Sequence, residues 1–157
     1  MRIRIVRSIS LICTAVTLAA LTAHVLELPN KFALGGTLWL AVQQNLYSGW
    51  GPVIGPFEIT AVMTTWVLFF LVRADGAALW RALVPACLVS SALAVFLILN
   101  APVNAAFASW TPATLPPDWP GYRLRWELGH AISFVLVLIA FLVLLHSKFH
   151  VENRPAP

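Results

Sequence analysis

The chain has 157 residues, of which 60% are hydrophobic and only 10% charged, with a mean hydropathy of +0.84. A soluble domain carries about a quarter charged residues, so this composition excludes an ordinary soluble fold and implies an integral membrane protein. The net charge of +4 does not point to nucleic acid, because the basic residues sit mostly beside apolar segments, where they set membrane orientation.

The expected fold is all-α: a four-helix integral membrane bundle, one domain over 1–157, with an extra interfacial or re-entrant helix between spans one and two. Arg2, Arg4 and Arg7 precede an apolar run, and the first span is expected over about 8–28. A basic start before an apolar run also describes a signal peptide, but small residues interleaved with Leu18 and Leu21 make a poor cleavage site, so a retained span is the reading. Cys13 lies in this run and Cys87 in another. Both read as small buried hydrophobes, and no CxxC supports a thiol–disulfide relay.

Pro29 and Asn30 are expected to end the first helix. The segment 31–50 is apolar but carries Gly35, Gly36, Gln43, Gln44 and Asn45, with Leu34, Leu38, Ala41, Val42 and Leu46 at helical spacing. It reads as an interfacial or re-entrant helix, with a fifth span as the competing reading. Gly51 to Pro56 reads as a turn, followed by spans over about 57–72 and 79–99, with Arg73 to Gly76 as the tight polar connection. A long loop over 105–121 contains Pro112, Pro116, Pro117 and Pro120, and the fourth span covers about 122–145.

Seven basic residues (Arg2, Arg4, Arg7, Arg73, Arg81, Lys148, Arg154) fall on one side of this topology and three (Lys31, Arg123, Arg125) on the other. That bias predicts a multi-pass protein of the cell inner or plasma membrane with both termini cytoplasmic. Trp39, Tyr47, Trp50, Trp110, Trp119, Tyr122 and Trp126 then form an aromatic belt at the outer interface.

Each span brings a polar group to that outer face: His24 and Glu27 from the first, Glu58 from the second, Asn100 and Asn104 from the third, Glu127 and His130 from the fourth. His24 with Glu27 and Glu127 with His130 are both i,i+3 pairs, each offset by ~4.5 Å along its axis. On antiparallel helices they would stack a histidine layer under a carboxylate layer. A Glu-x-x-His segment with carboxylates from other helices resembles the ligand supply of di-iron and di-manganese bundles. His24, Glu27, Glu58, Glu127 and His130 are therefore candidate ligands for iron, manganese or zinc.

Each group also has a plainer reading. Glu58 could favour a helix dipole, Glu27 could pair with Lys31 at i,i+4, and the asparagines around Pro102 could mark a helix end. His130 could be a hydrogen-bonded core histidine. Arg123 and Arg125 read as interface anchors, with binding of an acidic substrate or oxyanion as the alternative. Ionisable groups within hydrocarbon cost several kcal/mol and mark a site or pathway, which favours one shared site for the whole set.

His24 to Lys31, the Gln-Gln-Asn-Leu-Tyr run at 43–47, Glu58, Asn100-x-Pro-x-Asn104 and Trp126-Glu127-x-x-His130 together resemble the anthrone oxygenase-like family of small four-span membrane proteins. The resemblance covers most of the chain. It implies an oxygenase that uses O₂ to convert a polyaromatic anthrone to a quinone without an added cofactor. It also makes Asn100, Asn104, Trp126 and His130 the best-supported site residues.

The leading expectation is therefore a membrane oxidoreductase acting on a small lipophilic substrate, aromatic ones included. A histidine or glutamate would remove a proton, and Asn100 with Asn104 would hold the oxyanion. Cofactor-free chemistry or a divalent metal fits this better than haem. The alternatives are a non-catalytic metal- or haem-binding protein with His24 and His130 as axial ligands, and a small-solute or proton carrier. The lipid bilayer is the expected partner, nucleic acid is not, and a homo-oligomer is compatible with the sequence.

Overall fold

The computed structural model describes residues 2–152, so the Arg154 used in the charge bias lies outside the described residues. Among these, all regular structure is helical. Four helices are long and apolar enough to cross a membrane, and the protein is a helical membrane bundle.

The first helix, α1, runs Arg2–Ala33 and carries Pro29 inside it. It continues past the expected stop because its end is capped from another helix. Arg123 donates from Nη1 to the carbonyls of Lys31 (3.2 Å) and Leu34 (2.9 Å), satisfying acceptors that a helix C-terminus leaves open. The short helix α2, Gly36–Asn45, has ten residues. At ~1.5 Å per residue it spans about half a bilayer core, so it is not a fifth crossing. It buries Trp39, Leu40 and Gln43 while Leu38 stays exposed, and it lies over the bundle mouth. Gln44 ties it there, donating to the carbonyls of Phe107 (2.7 Å) and Trp110 (2.9 Å). Gly36 lets it pack closely, since a Cβ there would collide with Leu115 and Trp119.

Helix α3, Trp50–Val72, begins well before the expected start at 57. The Gly51 to Pro56 stretch is helical, not a turn. Pro52 lies in the first turn, where its missing N–H costs nothing, and an apolar surrounding rewards internal backbone pairing. Asp75 caps α4, Gly76–Val95, by accepting from the Ala78 amide at 3.2 Å. A π turn at Phe96–Asn100 follows, and α5, Ala101–Phe107, continues the same rod. The expected loop at 105–121 is accordingly shorter. Pro102 has no N–H for the Ile98 carbonyl four residues back, and the Arg125 guanidinium donates to that carbonyl. Helix α6, Trp119–Glu152, closes the bundle.

The rods form a four-membered ring: α1 packs on α3 and α6, and α4 packs on α3 and α6. Small residues bring the helices together, with Ser10, Thr14, Ala82, Ala86, Ala92 and Ala140 all buried. The hydroxyls of Ser10 and Thr14 bond back to carbonyls four residues earlier, at 2.9 and 2.7 Å, so they bring no unsatisfied group inside. Leu68, Val72, Ala82 and Leu144 form the apolar core at one end, and Leu21, Ala92 and Val137 form it near the middle. Leu26, Met63, Trp80 and Ile98 point outward and exposed, as a lipid-facing surface requires.

The π turn sets the third wall of the bundle. The extra residue in this turn re-aims Asn100, which is 1% exposed and donates from Nδ2 to the Trp126 carbonyl of α6 at 2.8 Å. Its amide lies directly over Gly129, where an added Cβ would overlap Oδ1, Cγ and Nδ2. Gly129→Ala should therefore lower unfolding stability in detergent by about 1–3 kcal/mol through overpacking. Combining it with Asn100→Ala should cost less than the sum of the two single changes; strict additivity would show that the two helices do not meet here as described.

Candidate functional site

α1 and α6 run antiparallel, and their i,i+3 pairs meet. His24 and His130 stack face to face, with ring centroids 4.0 Å apart and planes 13° from parallel. Trp126 stands edge-on to both, 4.2 Å from His130 and 4.9 Å from His24. Tyr47 and Trp50, from the turn into α3, close the box around His24 at 4.8 and 5.3 Å. Two imidazolium rings at this separation would repel strongly, so the stack holds at most one positive charge.

The carboxylate layer above is organised by Lys31, a residue read from the sequence only as a surface cation. Its side chain is 4% exposed, and Nζ lies 3.0 Å from Glu127 Oε2, 3.8 Å from Glu27 Oε2 and 3.4 Å from His24 Nδ1. It also sits over the faces of Trp126 (4.8 Å) and Tyr47 (5.3 Å). Glu127 is 1% exposed and has no other donor on either oxygen among the described residues. Glu27 is 40% exposed at its side chain and accepts from the Tyr47 hydroxyl. Burial, and then the bond to Glu27, raise the ionisation of that phenol above its ordinary range, so Tyr47 remains a donor at neutral pH.

Both asparagines hold Trp126. Asn100 is buried behind the site, bonded to the Trp126 carbonyl. Asn104 Oδ1 accepts from the Trp126 indole nitrogen at 2.8 Å. Between them they fix both the backbone and the ring of Trp126. Asn104 reaches the cavity wall; Asn100 is not part of it. Glu58 lines the same cavity from α3 but makes no ion pair or hydrogen bond with Lys31, Glu27 or Glu127 among the described residues.

That cavity has a volume of about 750 Å³ and lies between α1, α2, α3 and the α4–α6 side. Leu21, Ile54, Phe96, Phe107, Trp50 and Trp126 give it mostly apolar walls. His24, His130, Gln43, Glu58 and Ser133 supply the polar points. The size suits a small organic molecule of several fused rings. A smaller apolar cleft of about 460 Å³ shares Ala20, Trp50 and Ile54 with it.

The five expected metal ligands do not form a metal centre. Among the described residues no three His, Cys, Asp or Glu side chains converge on one point. The place between the carboxylates is taken by the Lys31 ammonium, and Glu58 stands apart. Haem ligation across the bundle does not fit either. Axial histidines point their ring nitrogens at each other across the iron, whereas His24 and His130 lie face to face.

Lys31, Tyr47, Trp50 and Gln43 are the site residues that sequence reasoning missed as such. Lys31 falls at i+7 from His24 and i+4 from Glu27, on the same helical face. Reading Pro29 as a stop hid that register. No family model, curated protein or solved structure matches the chain.

Lys31→Met or Glu127→Gln, each leaving one buried charge or polar group without its partner, should cost about 3–5 kcal/mol of stability in mixed-micelle unfolding. The double change Lys31→Met with Glu127→Leu should be milder than either single one. Losses that simply add would mean the two groups do not interact.

Proposed function

We propose that this chain is a membrane-embedded oxygenase-type oxidoreductase that deprotonates a lipophilic aromatic substrate and delivers it to O₂. The observation that carries this reading is the stacked His24–His130 pair set into the wall of a large, mainly apolar cavity between transmembrane helices. Imidazole is the side chain best suited to take a proton near neutral pH. Trp50 and Trp126 give the cavity aromatic walls suited to a planar ring system. The bilayer concentrates both apolar substrate and O₂ at such a site.

The reaction balances without a further reactant. An activated methylene between aromatic rings gives up a proton to the imidazole, and the resulting carbanion is oxidised by O₂. One oxygen atom becomes the new carbonyl. The other leaves as water with the two methylene hydrogens. Lys31, 3.4 Å from His24 Nδ1, holds that ring in place. That ammonium has no lone pair to accept a proton, so the abstracted proton rests on His130, the other ring of the stack. Asn104, on the cavity wall, is available to a developing oxyanion. The family resemblance carried by Trp126-Glu127-x-x-His130 supports the same chemistry. The seven-to-three bias of basic residues supports a site at the extracytoplasmic face of the cell membrane, with both termini in the cytoplasm.

The test is O₂ uptake and quinone absorbance with anthrone and detergent-purified protein. One O₂ should be consumed per anthraquinone formed, faster than in protein-free micelles. His24→Ala and His130→Ala should each slow the reaction by about 10²-fold or more while keeping the protein folded. No acceleration by the native protein, or full activity in both variants, would refute the proposal.

A further inference from the structure

Among the described residues Glu58 is the one carboxyl on the cavity wall, and the chemistry above does not use it. Glu127 and Glu27 share the Lys31 ammonium, at 3.0 and 3.8 Å. Glu58 has neither an ion pair nor a hydrogen bond among the described residues, and no lysine or arginine lines the cavity with it. The hydroxyls of Tyr47, Thr17 and Ser133 do line it, but each donates elsewhere: to Glu27, to the Cys13 carbonyl (3.0 Å) and to the Ala92 carbonyl (3.4 Å). The Glu58 oxygens are also within reach of an occupant. Those of Glu127 are sealed from solvent, whereas those of Glu58 are not, and the residue is only half-buried.

α3 carries this carboxyl to the floor of the cavity. Trp50, packed on the His24 ring at 5.3 Å, marks the mouth. Glu58 comes eight residues later, ~12 Å further along the helix and away from the mouth. Gly51, Ile54 and Gly55 share the lining between them. Neither glycine serves packing, since a Cβ at either would meet nothing within 4 Å. They leave an open trough along α3, with Trp50, Phe96, Phe107 and Trp126 among the cavity's aromatic side chains. A charged carboxylate between transmembrane helices costs several kcal/mol unless a partner offsets it. This wall supplies none, so the partner enters with the occupant.

We propose that the cavity is a receptor for lipophilic organic cations, planar aromatic molecules bearing one protonated amine, with the Glu58 carboxylate taking the charge at the floor. One carboxylate offers too few ligands for a divalent metal. A small hydrated ion would shed its water against mainly apolar walls and gain little in return. An aromatic ammonium instead carries its own apolar body, which those walls accept, and aromatic side chains attract a cation as well as a ring. The inference rests on the cavity being the ligand site, as the proposed function requires, but not on the reaction. It adds a basic nitrogen to the occupant, remote from the histidines.

Two three-ring probes of similar outline test this: 9-aminoacridine, a cation at neutral pH, and anthracene, which is neutral. Fluorescence titration of the full-length protein in a non-ionic detergent would be read against protein-free micelles. The native protein should prefer the cation by about tenfold or more. Glu58→Gln keeps the shape and removes the charge; it should bring the ratio close to one and leave anthracene affinity unchanged. Asp118→Asn, at an exposed acid outside the cavity, should leave the ratio as it is. Gly55→Leu, which fills the trough one turn above Glu58, should weaken both probes. A cation preference that survives Glu58→Gln would overturn the inference, as would equal binding of the two probes by the native protein, failure of both to bind, or indifference of both to Gly55→Leu. Absence of O₂ uptake with anthrone, alongside a Glu58-dependent preference, would refute the oxygenase chemistry and leave this assignment standing. O₂ uptake without that preference would do the reverse.

Discussion

The contact on which the site depends is the buried ion pair between Lys31 of α1 and Glu127 of α6, 3.0 Å apart and almost wholly removed from solvent. In a low-dielectric interior, two such groups are costly to desolvate and strongly attracted once desolvated. The pair therefore contributes less to net stability than to specificity, since any slip of one helix along the other leaves two charges stranded. Its geometry also explains why the histidines meet. Lys31 lies two turns, ~10.5 Å, above His24, and Glu127 only ~4.5 Å above His130. Side chains on a helix lean toward its N-terminus, so the lysine stem reaches back down α1 and covers the difference. With the ammonium seated on Glu127, His24 comes level with His130.

One stretch of α6 does most of the assembly. Trp126 gives its carbonyl to Asn100 and its indole N–H to Asn104, Glu127 takes Lys31, Gly129 makes room for Asn100, and His130 stacks on His24. These positions cover little more than one helical turn, so they fan around the axis and address α1 on one side and the π turn on the other. The preceding arginines secure the same two neighbours. Arg123 caps the end of α1, and Arg125 takes the carbonyl that Pro102 leaves open. Charges that sequence reasoning gave to interface anchoring are thus spent on backbone carbonyls that the helices leave open.

The helical membrane architecture and the meeting of His24 with His130 were legible because they rest on simple periodicities: apolar run length, and i,i+3 spacing on antiparallel rods. The helix ends were not. Pro29 and the Gly51 to Pro56 stretch look like breaks, yet the backbone stays helical where partners or position absorb the lost N–H. That same misreading concealed Lys31, and with it the reason the carboxylates gather. The π turn at Phe96–Asn100 has no sequence signature. Without it, Asn100 reads as an oxyanion donor instead of a strut. Tyr47 and Gln43 were visible as residues but not as site members, because the fold of a short mouth helix depends on long-range contacts to Phe107, Trp110 and Trp119.

The polar groups at this end of the bundle divide into those that satisfy each other and those that do not. Lys31, Glu27, Glu127 and Tyr47 form one polar set and Asn100, Asn104 and Trp126 another, linked by the Lys31 ammonium over the Trp126 ring; they charge the wall behind the histidines and leave the cavity itself mainly apolar. Only a few polar points remain to meet an occupant, the imidazoles foremost. A wall built this way recognises a molecule first by flat apolar area and then by a small number of directed contacts. On the oxygenase reading proposed above, such a wall would keep the base where water competes poorly for the substrate anion and fixed dipoles take over the stabilisation that solvent would provide. The ion pair is therefore what lets two charged groups sit between transmembrane helices, each as the other's partner.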